Sequence, residues 1–164
     1  MKELLMNFSV DKENSKIKVQ REFAASRDRV WAAFTQSDIL DQWWAPKPWK
    51  SETKFQDFSE GGRWLYAMVG PEGEKHWSFA DYQKIDAKNS FSVKDGFCNE
   101  NGKLNKEWPQ STWHNSFTDQ DEHTVVDMEI TFPSLHDLEK TIEMGFREGF
   151  TMGLGNLDEW LAKG

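Results

Sequence analysis

The first part of the chain alternates apolar and polar side chains and then changes to helical spacing. Alternation over residues 16–23 predicts a β-strand. Ser26 is a candidate N-cap for the helix that follows, and Ser37 is a candidate cap for a second short helix. Pro46 ends the second helix because proline cannot donate a backbone hydrogen bond. The segment 1–15 is predicted to be an extension or a first strand segment.

The middle of the chain has the pattern of consecutive strands separated by short polar turns. Such spacing indicates antiparallel hairpins rather than helical crossovers. In the strand that begins at Arg63, almost every position is apolar. This pattern predicts burial on both faces, or one packed face and one face that lines a pocket. The predicted strands after Thr53 are 63–69, 76–85, 91–98, 111–117 and 124–132.

The last part of the chain carries apolar residues at steps of three and four, which predicts one long helix over residues 135–162. Ser134 is its candidate N-cap. Gly145, Gly149 and Gly153 share one face at a spacing of four, although each glycine costs roughly 1 kcal/mol relative to alanine inside a helix. We therefore expect either sheet aromatics and backbone, or a ligand, to come close to this face. The apolar stripe consists of Leu135, Leu138, Ile142, Phe146, Phe150, Leu154, Leu157 and Leu161.

Composition narrows the class of protein. The length of 164 residues fits a single domain over 1–164. Aromatic residues make up 14% of the chain, so the rings must fill a thick core or line a cavity. The net charge of −8 disfavours nucleic-acid and membrane-surface partners, since both need clustered basic residues. The absence of a signal-peptide pattern predicts a cytoplasmic protein, and we expect a monomer or a homodimer.

Local motifs for catalysis or metal binding are absent from the sequence. The four histidines are scattered, and no spacing typical of zinc ligands occurs. Cys98 is the single cysteine, so an intrachain disulfide cannot form, and no partner motif activates its thiol. The chain has no nucleophile elbow, P-loop or dinucleotide fingerprint. We therefore expect no metal and no cofactor, and we favour a non-enzymatic role.

The order of strand, two short helices, six strands and long helix resembles the START-like (SRPBCC) helix-grip superfamily. Three segments are similar to the homologues of the activator of heat-shock-protein-90 ATPase. The first, residues 19–46, reads VQREFAASRDRVWAAFTQSDILDQWWAP. The second is Gly61-Gly62-Arg63-Trp64, followed by residues 82–85. The third is Gly149-Phe150 followed by leucines 154, 157 and 161.

This resemblance implies an α+β helix-grip fold, in which a curved antiparallel sheet with two short helices wraps one long C-terminal helix. It also implies a cavity between that helix and the sheet, although core packing explains the same aromatic rings equally well. The candidate lining residues are Trp64, Tyr66, Met68, Trp77, Phe79, Trp113, Phe146 and Phe150. The candidate polar contacts are Arg63, His76, Asp81 and His114.

Three functions follow from the resemblance. The leading hypothesis is binding of a small apolar or aromatic molecule in the cavity. The second is an enzyme that uses the same cavity, such as a cyclase, dehydratase or hydrolase. The third is a protein-interaction module related to the chaperone activator. The resemblance is to that activator's C-terminal domain, so we expect no stimulation of a chaperone ATPase.

Overall fold

The computed structural model describes residues 4–163 as one antiparallel sheet and four helices. The strand order is β1-β2-β8-β7-β6-β5-β4-β3, and every neighbouring pair is antiparallel. The α+β helix-grip prediction is confirmed. The strands are β1 (Met6–Asp11), β2 (Lys16–Phe23), β3 (Lys50–Gln56), β4 (Arg63–Val69), β5 (Lys75–Asp86), β6 (Ser90–Cys98), β7 (Ser111–Asp119) and β8 (Thr124–Thr131). The helices are α1 (Arg27–Thr35), α2 (Ser37–Trp43), α3 (Leu135–Glu143) and α4 (Phe146–Ala162).

The N-terminal segment contributes an edge strand. β1 pairs with β2 from Met6 to Asp11, so the first-strand alternative holds for this part of segment 1–15. Residues 1–3 of that segment lie outside the described residues. Eight strands therefore form the sheet among residues 4–163, where the sequence pattern after residue 15 gave seven.

Two of the three predicted serine N-caps are confirmed. The Ser26 side chain accepts a hydrogen bond from the Arg29 amide, and Ser134 accepts one from the Asp137 amide. A serine oxygen in this position satisfies a backbone donor that the first helical turn leaves free. Ser37, in contrast, is the first residue of α2, and Gln36 takes the cap position without a side-chain hydrogen bond.

The prediction of one unbroken helix over residues 135–162 is wrong. Helix α3 ends at Glu143 and α4 begins at Phe146, with Gly145 between them in the left-handed conformation at φ +88°. Glycine adopts this conformation without the steric cost that a Cβ atom imposes. The apolar stripe survives the break, because Leu138, Phe150 and the three leucines 154, 157 and 161 are all buried. Leu135, at the outer end of the stripe, is exposed.

The outer face of β4 is packed and its inner face lines a cavity, which is one of the two alternatives that its apolar sequence predicted. Trp64 and Tyr66 belong to the core between the sheet and the helices. On the opposite face, Leu65 and Phe79 lie close to the loop 99–109, at Gly102 and Leu104 respectively. The loop 99–109 therefore covers the outer face of the sheet at β4 and β5.

Candidate ligand-binding cavity

A cavity of about 280 Å³ lies on the inner side of the sheet, beneath the break between α3 and α4. An apolar cavity of roughly 150 Å³ is large enough to hold benzene, so this one has room for a small bicyclic molecule. Its walls come from α3, α4, the end of α2, five strands of the sheet (β4 to β8) and the loop before β7. The lining residues are Trp44, Pro46, Tyr66, Met68, Ser78, Asp95, Gly96, Phe97, Pro109, Ser111, Trp113, Ile130, Phe132, Thr141, Met144, Gly145, Phe146, Gly149 and Phe150.

Four aromatic rings, from α4, β7 and the end of α2, form much of the cavity wall. Phe146 and Phe150 stack at 5.2 Å between ring centroids, one turn apart on α4. Trp113 of β7 meets both of them edge to face, at 6.0 and 5.4 Å. Trp44 contacts Trp113 and Phe150, each at 6.0 Å. Stacked and edge-to-face contacts of this kind are the arrangements that aromatic pairs prefer, so the four rings support one another.

Hydrogen bonds fix the position of Trp44 at the end of α2. Its indole N–H donates to the Tyr66 hydroxyl at 3.1 Å. The buried side chain of Asn156 on α4 donates to the carbonyls of Trp43 at 3.4 Å and Ala45 at 3.1 Å. Trp44 lines both the main cavity and a smaller one of about 40 Å³, so it forms a partition between them.

The three glycines of the predicted face have different roles. Gly145 ends one helix and begins the next. At Gly149, an added Cβ would meet only Pro46, at 3.6 Å, which is an ordinary contact beside the cavity. At Gly153, it would lie 3.2 Å from the Trp44 carbonyl oxygen, so here the helix packs closely on backbone. Space for a ligand and close packing therefore both occur, one turn apart.

Asp95 gives the cavity a polar position. Val93 and Phe97, two residues before and after Asp95 in β6, line the smaller and the main cavity respectively. The accessible part of Asp95 therefore faces inward as well. Ser111 on β7 donates a short hydrogen bond from its hydroxyl to the Asp95 carboxylate, and the Trp113 indole N–H donates to the Ser111 oxygen at 3.2 Å. Burial raises the pKa of Asp95 to about 6, and the hydrogen bonds from Ser111 and Trp113 oppose that rise.

Tyr66 is the second titratable group at this position. Burial raises the pKa of its phenol, and the nearby charge of Asp95 raises it further, whereas the hydrogen bond from Trp44 lowers it. Tyr66 is therefore a neutral hydroxyl at physiological pH. Among the described lining residues of the main cavity, Asp95 is the one carboxylate, and no lysine, arginine or histidine is present.

The smaller cavity contains an acceptor without a donor. Asn115 on β7 is 3% exposed, and its Oδ1 atom accepts no hydrogen bond from the described residues. Such a group normally finds a partner, because an unpaired buried acceptor costs about 1–3 kcal/mol. Asp95 and Tyr66 line this cavity as well as the main one.

The sequence-predicted site residues divide into three groups. Tyr66, Met68, Trp113, Phe146 and Phe150 line the main cavity. Trp64 lines the smaller cavity and stacks on Tyr66, with ring centroids 3.9 Å apart. The six others, which are described next, line neither cavity.

Three of these six residues build an outer-face cluster. Arg63 binds Asp81 through two parallel contacts, of 2.5 Å from Nε and 2.9 Å from Nη2, and Nη1 donates to the Gly102 carbonyl at 2.8 Å. The Arg63 guanidinium also lies 4.3 Å from the centroid of the Phe79 ring. This fork ties the loop 99–109 to the sheet, and it also raises the pKa of Arg63.

The remaining three lie toward solvent. Trp77 is flanked by the ammonium groups of Lys54 and Lys75, at 5.7 and 5.9 Å from the ring. His76 is exposed beside Trp49, with ring centroids 5.4 Å apart. His114 is also exposed and borders a shallow depression on the opposite side of the sheet.

Sequence reasoning missed Trp44, Asp95 and Ser111 as lining residues. The alternation of the strand could have identified Asp95, because Asp95 shares the inward face with Val93 and Phe97. Trp44 belongs to the Trp-Trp-x-Pro segment, which was interpreted as a mark of the fold alone. No local pattern marks Ser111 as a lining residue. Only the sheet register, which places it opposite Asp95, identifies it.

Residues 4–163 contain neither a cluster of metal ligands nor a membrane-spanning helix. In that part of the chain, no three His, Cys, Asp or Glu side chains converge to hold a metal ion. No helix there is long and apolar enough to cross a lipid bilayer.

Solved structures with the same fold come from several bacteria. A solution structure of a protein from Arthrobacter aurescens is 27% identical, with a TM-score of 0.90 over 96% of this chain and 92% of that one. A crystal structure of a protein from Mycobacterium smegmatis is 29% identical, with a TM-score of 0.87 over 97% of both chains. A protein from Staphylococcus epidermidis, 24% identical, has a TM-score of 0.83 over 94% of both chains and shows the fold alone.

The family is set by the sequence as well as by the fold. No curated protein matches the chain. The family model described as Activator of Hsp90 ATPase homolog 1-like protein matches residues 24–162, which is most of the chain and includes α1, the sheet from β3 to β8 and the α3–α4 pair. The resemblance that the sequence segments indicated is therefore confirmed: this chain belongs to the Activator of Hsp90 ATPase homolog 1-like protein family.

Proposed function

We propose that this protein binds a small, largely aromatic molecule in the cavity between α4 and the sheet. The observation that carries the proposal is the set of mutually contacting rings around an open volume of about 280 Å³. Binding pockets are typically lined by apolar and aromatic side chains with a few polar groups that orient the ligand. Here Asp95, Ser111 and Tyr66 supply the polar groups.

An apolar fluorescent probe tests the proposal together with a matched pair of substitutions. Gly149→Leu adds a side chain at the cavity wall, whereas Gly155→Leu adds the same side chain to the same helix, where a Cβ meets nothing within 4 Å. We expect wild type and Gly155→Leu to bind N-phenyl-1-naphthylamine with enhanced fluorescence. Gly149→Leu is expected to lose that binding with little change in thermal stability.

The opposite result has a clear physical meaning. If the space at Gly149 is filled in solution, leucine overpacks it and the free energy of unfolding falls by roughly 1–3 kcal/mol. That loss, together with no probe binding by wild type, would show that the cavity is only core. Native mass spectrometry of freshly purified protein then identifies any molecule that wild type retains and Gly149→Leu does not.

Acid–base catalysis in the same cavity is the second candidate function, and Asp95 is the observation that favours it. A carboxyl group with a pKa of about 6 is suited to proton transfer near neutral pH. Its hydrogen bonds come from Ser111 and Trp113, and no second carboxylate lines the main cavity among the described residues. Ligand binding is preferred because one titratable group without a nucleophile or a second acid does not make a catalytic set. Turnover of a retained ligand by wild type, but not by Asp95→Asn, would decide for catalysis.

A further inference from the structure

The ligand class follows from the one charge inside the cavity. We infer that the cavity selects aromatic amines in their protonated form, with the ring among Trp44, Trp113, Phe146 and Phe150 and the ammonium group at the Asp95 carboxylate. This inference rests on the proposed function and specifies its ligand.

The first step is the isolation of Asp95 from the chain's own cations. Among residues 4–163, no lysine, arginine or histidine forms an ion pair with this carboxylate. Its hydrogen-bond partners, Ser111 and Trp113, are neutral, and the Ser111 hydroxyl also receives the indole N–H of Trp113. A buried carboxylate is normally paired with a cation, because its removal from water is costly. A ligand ammonium group would supply that cation.

The second step is the surplus of acceptors in this part of the interior. Asn115 Oδ1, in the adjoining smaller cavity, accepts no hydrogen bond from the described residues. The Asp95 carboxylate, which lines both cavities, is an acceptor without a donor of its own when it is ionised. These two groups therefore call for donors, and an ammonium group carries three donors and no acceptor.

The third step concerns the rings. An ammonium group is attracted to the faces of aromatic side chains within about 6 Å, most strongly to tryptophan. Trp113 lies at the same polar position, since its indole N–H donates to the hydroxyl that binds Asp95. Aromatic rings and a carboxylate together favour a cation more than either does alone. A carboxylate ligand, such as a fatty acid, would be repelled.

None of the described side chains that face Asp95 supplies a positive charge to pair with its carboxylate. β4 contributes the neutral phenol of Tyr66, and β5 contributes Tyr82 in the smaller cavity. The lining residues from β7, β8, α3 and α4 are uncharged throughout the described part of the main cavity. Asp95 is therefore the group whose ionisation decides the charge that the ligand meets.

Three probes with one carbon skeleton test the inference on wild-type protein. They are 1-naphthylmethylamine, 1-naphthalenemethanol and 1-naphthoic acid, which carry a positive, zero and negative charge at pH 7.5. Isothermal titration calorimetry is expected to give a dissociation constant at least about tenfold lower for the amine than for the alcohol, since hydrogen bonds to charged groups typically have this effect. The naphthoate should bind most weakly.

Two controls assign the preference to Asp95. Asp95→Asn keeps the shape and removes the charge, so the amine and the alcohol should bind equally. Asp127→Asn removes an exposed carboxylate of β8 and should leave the tenfold preference intact. In wild type, lowering the pH from 7.5 to 5 should weaken amine binding about tenfold by protonating Asp95, while alcohol binding stays constant. This pH test needs no variant, so it decides even if Asp95→Asn does not fold.

The outcomes separate the inference from the proposed function. If the alcohol or the naphthoate binds as tightly as the amine, the inference fails and the proposed function stands. If Asp95→Asn keeps the amine preference, the role of Asp95 is refuted. If none of the three probes binds, and N-phenyl-1-naphthylamine does not bind either, both proposals fail.

Discussion

The concave face of the sheet has two halves that are built from similar rings but differ in what covers them. In the filled half, under α1 and α2, Trp31 and Phe34 meet the sheet ring of Phe117 at centroid distances of 5.0 and 5.4 Å. In the open half, under the α3–α4 break, Trp113 meets Phe146 and Phe150 at 6.0 and 5.4 Å. Ring spacing alone does not distinguish a core from a cavity.

The difference lies in the helix surface above the rings. α1 presents large side chains, and Trp43 of α2 completes the filled half at 5.0 Å from Phe34. Over the open half, Gly145 and Gly149 stand beside Phe146 and Phe150 and add no side-chain volume, and the region contains a carboxylate at Asp95. Aromatic side chains thus build both regions, and the glycines leave space in one of them.

The largest effect is expected from truncating one ring in each half. Trp43 is 1% exposed and its indole N–H donates to the Ala33 carbonyl at 2.9 Å, so Trp43→Ala should lower the free energy of unfolding by about 3–5 kcal/mol. Phe146 is only half-buried and faces open space on one side, so its truncation loses less packing. We expect Phe146→Ala to lower the free energy of unfolding, measured by urea denaturation, by only about 1–2 kcal/mol. Equal costs would mean that the open half is packed in solution.

The second prediction uses the carboxylate that lines the open half. The pKa of Asp95 is raised from 3.8 to about 6 by burial, so the folded protein holds a proton between pH 4 and pH 6 that the unfolded chain has released. The Asp95 contribution therefore stabilises the protein as the pH falls through this window and is lost as the pH rises. Since one pH unit corresponds to about 1.4 kcal/mol per proton, the total is at most roughly 3 kcal/mol, because part of the Asp95 side chain is accessible from the cavity.

Comparing wild type with Asp95→Asn isolates this effect from the other carboxylates. Chemical denaturation at pH 4, 5, 6 and 7 should show that the wild type loses stability relative to the variant as the pH rises. Asp127→Asn, at an exposed position, is the control and should follow the wild-type profile. Parallel profiles for wild type and Asp95→Asn would show that Asp95 is exposed to bulk water in solution.

Much of the architecture was predictable because it depends on local periodicity. Alternation identified the strands, and the caps at Ser26 and Ser134 marked two helix starts. The break at Gly145 was missed for a physical reason. Ile142 and Phe146 are four residues apart on either side of it, so the apolar stripe continues as if the helix did. A glycine at this position is compatible with a helix interior and with a helix end.

The cavity was only partly predictable because it depends on contacts between distant segments. The sequence identified Tyr66, Met68, Trp113, Phe146 and Phe150, all of them large side chains on regular elements. It gave no way to tell that Arg63 and Asp81 would bind each other on the outer face. The side of the sheet that a residue faces depends on register and on what the loop 99–109 covers. Neither is contained in a local pattern.

The smallest effect, and the sharpest test of glycine placement, comes from two alanine substitutions on α4. At Gly155 a Cβ meets nothing within 4 Å, so Gly155→Ala should raise the free energy of unfolding by about 1 kcal/mol through helix propensity alone. At Gly153 the Cβ would lie 3.2 Å from the Trp44 carbonyl oxygen, in a backbone segment that Asn156 holds by hydrogen bonds on both sides.

Because that segment cannot easily move away, Gly153→Ala should lose the propensity gain and be less stable than Gly155→Ala by at least about 1 kcal/mol. Gly149→Ala belongs with Gly155→Ala, since its Cβ makes only an ordinary contact with Pro46. Thermal denaturation of the three variants therefore orders them by the space above each glycine. If Gly149→Ala instead behaves like Gly153→Ala, then α4 lies closer to the α2 end in solution. The volume beside Gly149 would then not be available to a ligand.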